Sequence, residues 1–576
     1  MSDSTVGVER ALPKLKWFWP NAHWILIAFF FLALLPSMFS PVIYHGDERF
    51  YTDGAIRMVQ TGDYITPYYS SGLLRFRKPI LTYWVIAASY KIFGISLFAS
   101  RIPFLLAGCL VIWFTYKTSL SLLQREQEAL LAAIVIFSNE QLFVLSTRST
   151  PDILQTLFIA ASLCGFANIL FNRSKALLDY GYAYFGSALT VATKGLLGIF
   201  PVLYSFLISF IAKKRLAKPK DLINVPVMAF AAVIALFWFV LIFVKHGGSA
   251  INGFLGDQVT ERLDGSKFYI LRNAVEYLYA VLRHFFPWSV LLLVVFLKKN
   301  SAIKDFIREH KDLCLFIGAW CGILYLIFIL GNLTRSRYLF PSYPLLAVLF
   351  SALLVEATHR TKSYDIIRKF EKILLLIGLI AALLVAVLGA IVDARLVAGG
   401  TILFVLTLFL YLILINKTVM GGLTAVGVFL VLLYSTFFTF VKPVFSVSPV
   451  STLVQCLDPV TEAKPIKVGS IDLPHEYQHQ LTLFSDGAVW VAELPVEVAK
   501  TQLEEYPAII VSESYRKELQ DRGYQMKQCG YEYKKWRIQD VLGLMNSSDR
   551  HRFIDSMKQL YYVAFLKKQP GSLPSK

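Results

Sequence analysis

A chain of 576 residues that is 56% hydrophobic and 15% aromatic is neither a soluble globular protein nor a disordered one. A net charge of +18 would point to nucleic acid in a soluble protein, but these bases sit in short loops between apolar runs, which excludes that partner. What remains is a polytopic α-helical membrane protein whose basic surface suits anionic lipid headgroups.

The opening MSDSTVGVERALPKLKWFWPNAHW is charged, then aromatic, and runs straight into a full-length apolar stretch. That order predicts an uncleaved first helix. Spans of roughly 20 apolar residues are expected near 24–41, 102–120, 129–146, 153–171, 179–193, 195–212, 226–245, 285–298, 312–330, 337–357, 372–391, 398–416 and 421–441, about thirteen in all. The run 79–94 (PILTYWVIAASYKIFG) is short and carries Tyr83, Trp84, Tyr90 and Lys91. It suits a helix lying at the interface. That reading puts Lys14, Lys16, the five bases of KKRLAKPK (213–220) and the basic loops 298–311 and 358–372 on one side. By the positive-inside rule that side is cytoplasmic, with the C-terminus outside.

The first loop after the first span, YHGDERFYTDGAIRMVQTGDYITPYYSSGLLRFRKPILTYW (44–84), concentrates acids, bases and aromatics in an otherwise apolar chain. A connector between spans needs no such mixture, so the outer loop 42–100 is expected to be catalytic. Asp47 and Glu48 stand just past the first span, where a carboxylate can act as general base or orient an attacking group. Solvated loop acids are the plainer use. Asp152 stands at the entrance to a later span, after Ser149, Thr150 and Pro151, where helix capping is the plainer use. Arg77, Lys78, Lys194 and Arg337 are cations at the same predicted face. Gathered there they suit a phosphate, which Arg binds through two parallel hydrogen bonds, although interfacial snorkelling is an ordinary use of such residues. Lys194 interrupts a continuous apolar stretch from Tyr180 to Phe210, and an ionisable residue in such a place defaults to function.

No metal set emerges: His45, His246 and His284 are scattered, and His475 and His479 lack a third ligand. No nucleotide loop or cofactor motif occurs. Four cysteines (Cys109, Cys164, Cys314, Cys321) lie in apolar runs as packing residues. Cys456 and Cys529 lie in the polar C-terminal region without metal-ligand spacing, and a disulfide between them is left open. The chain divides at about residue 445, giving a membrane domain 1–445 and an outer α/β domain 446–576. IKVGSI (466–471), AVWVAEL (488–494) and PAIIVSE (507–513) read as strands, and VEVAKTQLEEY (496–506) and SYRKELQDRGY (514–524) as helices.

The first loop resembles that of the aminoarabinose transferase and protein O-mannosyltransferase superfamily, the GT-C glycosyltransferases that use polyprenyl-phosphate sugars. The shared pattern is Asp-Glu, then Gly-Asp-aromatic-x-x-Pro, then Lys-Pro before an aromatic-rich segment. FGISLFASRIP (93–103), TRSTPD (147–152), ATKGLLGIFP (192–201) and SRYLFPSYPLLAVL (336–349) are similar to later family segments in the same order. The resemblance covers about 24–350 and implies a GT-C fold with Asp47 as main catalytic acid and Asp152 as second. It implies that Lys78 and Arg337, and less directly Lys194, hold the lipid-linked phosphate, with a lipid A-like, glycan or protein acceptor. Two departures stand out. Arg77 occupies a position that many relatives give to Glu, and only His284 stands near the place where relatives carry a loop His. If those positions bind metal in relatives, this chain is expected to bind none. The rival class is a flippase of lipid-linked sugars, which would show paired half-segments and midplane polar groups. No repeat is present, and the polar groups gather at one face.

Overall fold

The computed structural model describes residues 21–40, 46–69, 72–213, 215–256, 268–298, 301–331, 335–361, 364–413, 418–457, 466–494, 506–534, 540 and 550–566. Among them, nine helical stretches are long and apolar enough to cross a membrane: Ala22–Phe39, Leu97–Leu123, Pro151–Asn172, Val225–His246, Lys311–Leu330, Ser336–Glu356, Asp365–Val392, Ala394–Ile413 and Val419–Phe445. Two bent pairs bring the number to 11. Glu126–Phe137 turns 62° into Glu140–Ser146, and Ile270–His284 turns 96° into Trp288–Val295. Each bend has a local cause. Asn139 ends one helix and caps the next, its side chain accepting from the backbone N–H of Gln141 and Leu142. Pro287 lies at the other break, where it removes a donor. The two remaining expected spans fall on the helices Leu177–Lys194 and Leu196–Ala212, which meet at Gly195 and are not among those long and apolar enough to cross by themselves. Gly195 has φ +93°, so the chain breaks there and Lys194 becomes a helix terminus.

Six membrane-domain helices position the site: α1 (Glu48–Thr61), α2 (Leu81–Phe93), α3 (Leu97–Leu123), α4 (Pro151–Asn172), α5 (Leu177–Lys194) and α6 (Val225–His246). The run read as interfacial forms α2, whose 13 residues span about 20 Å and fall short of a ~30 Å hydrocarbon core. Helices α4 and α5 are antiparallel and pack at backbone distance. A Cβ on Gly165 would stand 2.4 Å from the Asp179 carbonyl, and one on Gly186 2.5 Å from the Phe158 carbonyl. Ser162 closes the seam with hydrogen bonds to the Ala183 carbonyl (2.6 Å) and the Ser187 hydroxyl (3.0 Å). Small residues and serines bring membrane helices together because lipid leaves no hydrophobic drive between them. This seam sets the start of α4 beside the end of α5.

The C-terminal residues build a five-stranded sheet in the order β2-β1-β3-β5-β4. The strands are β1 (Ile466–Ile471), β2 (Val489–Glu493), β3 (Ile509–Ser512), β4 (Tyr524–Tyr533) and β5 (Lys558–Leu566). The first three are parallel, with Ile466 opposite Val489 and Gly469 opposite Ile509. β5 runs antiparallel to β3 and β4. Helix α7 (His475–Phe484) joins β1 to β2. All three expected strands are present. The helix expected at 514–524 is shorter, because Arg516–Asp521 ends before Gly523 (φ +85°), from which β4 departs. The helix expected at 496–506 lies outside the described residues apart from Tyr506. Cys456 and Cys529 form a disulfide that ties the segment leaving the last span to β4. Their distance of 73 residues in sequence is why spacing alone left the pairing open.

Candidate active site

Asp47 occupies the N-cap position of α1 but makes no side-chain cap. Its carboxylate turns instead to Arg337, with which it forms a close ion pair, and to Arg335 at 3.6 Å. Thr150 is the N-cap of α4 and makes no side-chain cap, and Asp152 stands in the first turn. One of its oxygens lies 2.6 Å from Lys194 Nζ, and the other 3.8 Å from Arg337 Nε. Arg337 therefore bridges two carboxylates that reach it from distant parts of the chain. The Tyr338 ring lies beside both cations, 4.8 Å from Lys194 Nζ and 6.0 Å from Arg337 Cζ. Asp152 is almost fully buried, while Asp47 is about one-third exposed. A group arriving from outside meets Arg335 and Asp47 before Arg337, which is largely buried.

Glu48 points the other way and is buried, with 1% of its side chain exposed. Its two oxygens accept from Arg101 Nε and Nη2, each at 3.0 Å. One of them also accepts the Ser149 backbone N–H at 2.8 Å. Arg101, itself fully buried, donates a further bond to the Ser40 carbonyl at 2.7 Å. Glu48 thus ties α1 to α3, to the end of the first span, and to the turn three residues before Asp152. Sequence reasoning put Glu48 beside Asp47 as a candidate catalytic acid. The structure separates the two, leaving Asp47 accessible and Glu48 in a closed clamp. Arg101 and Ser149 were missed. The signal for Arg101 was available, because it interrupts the apolar FASRIP segment much as Lys194 interrupts its own.

Arg148, next to Ser149, is the fifth cation of the cluster. Burial lowers its affinity for the proton, with Glu48 and Asp152 opposing and Arg337 and Arg101 adding to the effect. Among the described residues five cations (Arg101, Arg148, Lys194, Arg335, Arg337) thus stand around Asp47, Glu48 and Asp152, with a fourth acid, Asp53, buried close by. An excess of positive charge in a largely buried setting favours an anionic ligand.

The rest of the first loop forms a frame around this cluster. Arg75 is 5% exposed and stands among the rings of Phe50, Tyr51, Tyr69 and Tyr83, with Cζ-to-centroid distances of 4.9–6.0 Å. It also donates to the Tyr83 hydroxyl. Arginine suits such a cage because its flat, weakly hydrated head stacks on aromatic faces. Farther along, Trp238 of α6 donates to the Ile65 carbonyl at 2.9 Å, and Lys245 pairs with Asp63 at 2.7 Å. Burial alone would raise the Asp63 pKa, but Lys245, Thr66 and two backbone N–H groups hold it at about 2. Lys78 is half-buried and Arg77 exposed, on the segment between Arg75 and α2. His284 is enclosed, its Nδ1 2.7 Å from the Tyr343 hydroxyl. Among the described residues no group of three or more His, Cys, Asp or Glu side chains is placed to hold a metal ion.

A family model described as dolichyl-phosphate-mannose-protein mannosyltransferase matches residues 77–239. An uncharacterized protein of Aquifex aeolicus is 26% identical over 85% of this chain and 89% of its own length. The undecaprenyl phosphate-alpha-4-amino-4-deoxy-L-arabinose arabinosyl transferase of Aeromonas salmonicida is 26% identical over 64% of this chain and 65% of its own. The chain therefore spans just under two thirds of that transferase. Among solved structures, the crystal structure of ArnT from Cupriavidus metallidurans bound to undecaprenyl phosphate superposes with a TM-score of 0.67. It covers 95% of this chain and 98% of its own at 15% identity, a likeness of fold. The fold class and the superfamily resemblance carried by the first loop agree with these findings.

Proposed function

We propose that this chain, a relative of the aminoarabinose transferases and protein O-mannosyltransferases, moves a sugar from a polyprenyl-phosphate donor to a lipid, glycan or protein acceptor. The observation that carries the reading is the array Asp47–Arg337–Asp152–Lys194, two acids and two cations held at one end of the spans. The donor phosphate competes with Asp47 for Arg337 and with Asp152 for Lys194. Its arrival leaves the cations on the phosphate and frees the Asp47 carboxylate to face the acceptor. The sugar C1–O bond to phosphate breaks, the acceptor oxygen bonds to C1, and the acceptor proton passes to Asp47. The departing polyprenyl phosphate stays charge-neutralised by Arg337 and Lys194, an electrostatic task for preorganised groups. A phosphate acceptor brings no proton to remove, and Asp47 then orients it. Lys78 and Arg77 are second contacts for the phosphate from the loop side.

The phosphate assignment is testable without knowing the acceptor. Undecaprenyl phosphate at about 100 times its Kd should stabilise the purified protein by roughly 2.7 kcal/mol, read as a raised melting temperature. Undecaprenol, which lacks the phosphate, should give little shift, and Arg337→Gln should lose most of it. Equal stabilisation by both lipids would sink the phosphate role of Arg337. Transfer itself is tested by incubating purified protein with donor and candidate acceptors, where a flippase forms no product.

The coarse location, a multi-span membrane protein like the bacterial inner-membrane relatives, follows from the spans and the comparisons. We further place the site and the C-terminal domain on the outer, periplasmic side and the N-terminus inside. The Cys456–Cys529 disulfide supports this, because such bonds persist in oxidising compartments. Trapping thiols in intact cells should leave both cysteines unlabelled until a reductant is added. Ready labelling of both would place the domain on the reducing side.

A further inference from the structure

The C-terminal domain touches the helix that begins at the acids. Leu483 and Trp490 are buried within the membrane domain's own hydrophobic core, while the sheet's other core residues form two separate clusters. On the helix side, Gln60 donates its side-chain amide to the Gly487 carbonyl at 3.0 Å. The Arg57 guanidinium lies 4.3 Å from the centre of the Trp490 ring. Gly487 adopts φ +76°, and a Cβ there would stand 2.4 Å from Gln60 Nε2 and 2.7 Å from Ile56 Cγ2. The turn between α7 and β2 therefore sits directly on the C-terminal half of α1.

α1 has 14 residues and is about 21 Å long. Its first turn is held by the clamp of Glu48 with Arg101 and Ser149, and Asp47 stands one residue outside it. The middle of α1 packs on α2 and the first loop, where Phe50 and Tyr51 line the Arg75 cage and a Cβ on Gly54 would stand 2.6 Å from the Tyr83 ring, and the contact at Arg57 and Gln60 extends that hold to its last turns. We propose that the C-terminal domain is a positioning element of the transfer site. Its contact through Gly487 and Trp490 fixes the axis of α1 and thereby the place of Asp47 against Arg337 and Asp152. This inference rests on the transferase reading and gives the C-terminal domain a role in it. Arg57, Gln60 and Trp490 are positioning residues: Arg57 and Gln60 lie about 15–20 Å along α1 from Asp47, and Trp490 packs on Arg57.

The test uses the full chain in lipid nanodiscs with Trp490→Ala, Trp490→Phe, Arg57→Ala and Gln60→Ala. The first readout is hydrogen exchange. In Trp490→Ala and Arg57→Ala the amides of residues 48–61 should exchange faster, with β1 and β3 unchanged as a check that the domain stays folded. The second is transfer. kcat should fall roughly tenfold, since misplacing a reacting group by a fraction of an ångström to 1 Å costs up to about 100-fold. The donor KM should stay within about twofold, because this contact leaves the phosphate cations in place, and Trp490→Phe, which keeps an aromatic face, should recover most of kcat. Unchanged exchange in α1 overturns the proposal, as does faster exchange with unchanged kcat. Should Trp490→Ala unfold the sheet, Arg57→Ala and Gln60→Ala, which lie on α1, decide the matter. A wild type that forms no product defeats the transferase reading instead, and the exchange readout still decides whether the domain holds α1.

Discussion

Asp47→Asn is expected to lower kcat for sugar transfer by about 10²- to 10⁴-fold, the usual contribution of a positioned general base. Donor binding should not weaken. The carboxylate competes with the incoming phosphate for Arg337, and the amide removes that competitor. Affinity for undecaprenyl phosphate should therefore hold or rise while turnover collapses. Arg337→Gln should give the opposite split, with weakened binding of the lipid phosphate. In cells, the lipid and glycan mass profile of the Asp47→Asn strain should match that of a deletion strain. The species that loses a sugar-sized mass names both sugar and acceptor. A wild-type profile from Asp47→Asn, with the protein at normal level in the membrane, would remove Asp47 from the chemistry and favour transport.

The second large effect is on stability. Glu48 and Arg101 form a buried pair that also satisfies the Ser149 amide and the Ser40 carbonyl. Removing one partner leaves the other charge buried without its main partner, at a cost of about 3–5 kcal/mol, which Arg148 near Glu48 softens when Arg101 is the one removed. Glu48→Ala and Arg101→Leu should each lower the midpoint of thermal unfolding strongly and reduce the amount of protein in the membrane. The double variant Glu48→Leu/Arg101→Leu should lose much less than the sum, because replacing both members of a buried pair by apolar residues is often close to neutral. Additive losses would show that the two side chains act independently. A mild Glu48→Ala phenotype in stability with complete loss of turnover would return Glu48 to the catalytic role first read for it.

The contrast between Asp47 and Glu48 shows how far local sequence reaches. Adjacent acids after a span stand out against an apolar background, but nothing local says which faces the opening and which faces the core. The turn of α1 sends Glu48 to Arg101 and leaves Asp47 at the rim. Asp152, Lys194 and Arg337 stood out in the same way, because a charge in an apolar run is costly and so is rarely idle. Their mutual contacts were a different matter. Asp47 and Arg337 are 290 residues apart, and no periodicity connects them. The Asp152–Lys194 pair depends on the antiparallel seam at Gly165 and Gly186, where missing side chains let two backbones touch.

By itself, the sequence determined the class, the run of spans, the shortness of the 79–94 segment, three strands of the C-terminal sheet and a first loop that resembles a known superfamily. These follow from composition and local pattern, because hydrophobic length and alternation are properties of a contiguous stretch. Only the tertiary structure decided which of Asp47 and Glu48 is buried, the aromatic cage around Arg75, the Cys456–Cys529 pairing and the seat of the C-terminal domain on α1. Each of these joins residues that are distant in sequence or that differ only in which way a helix turns them. Such contacts are settled by close packing, which brings together whatever the fold makes adjacent and leaves no mark on the chain beforehand.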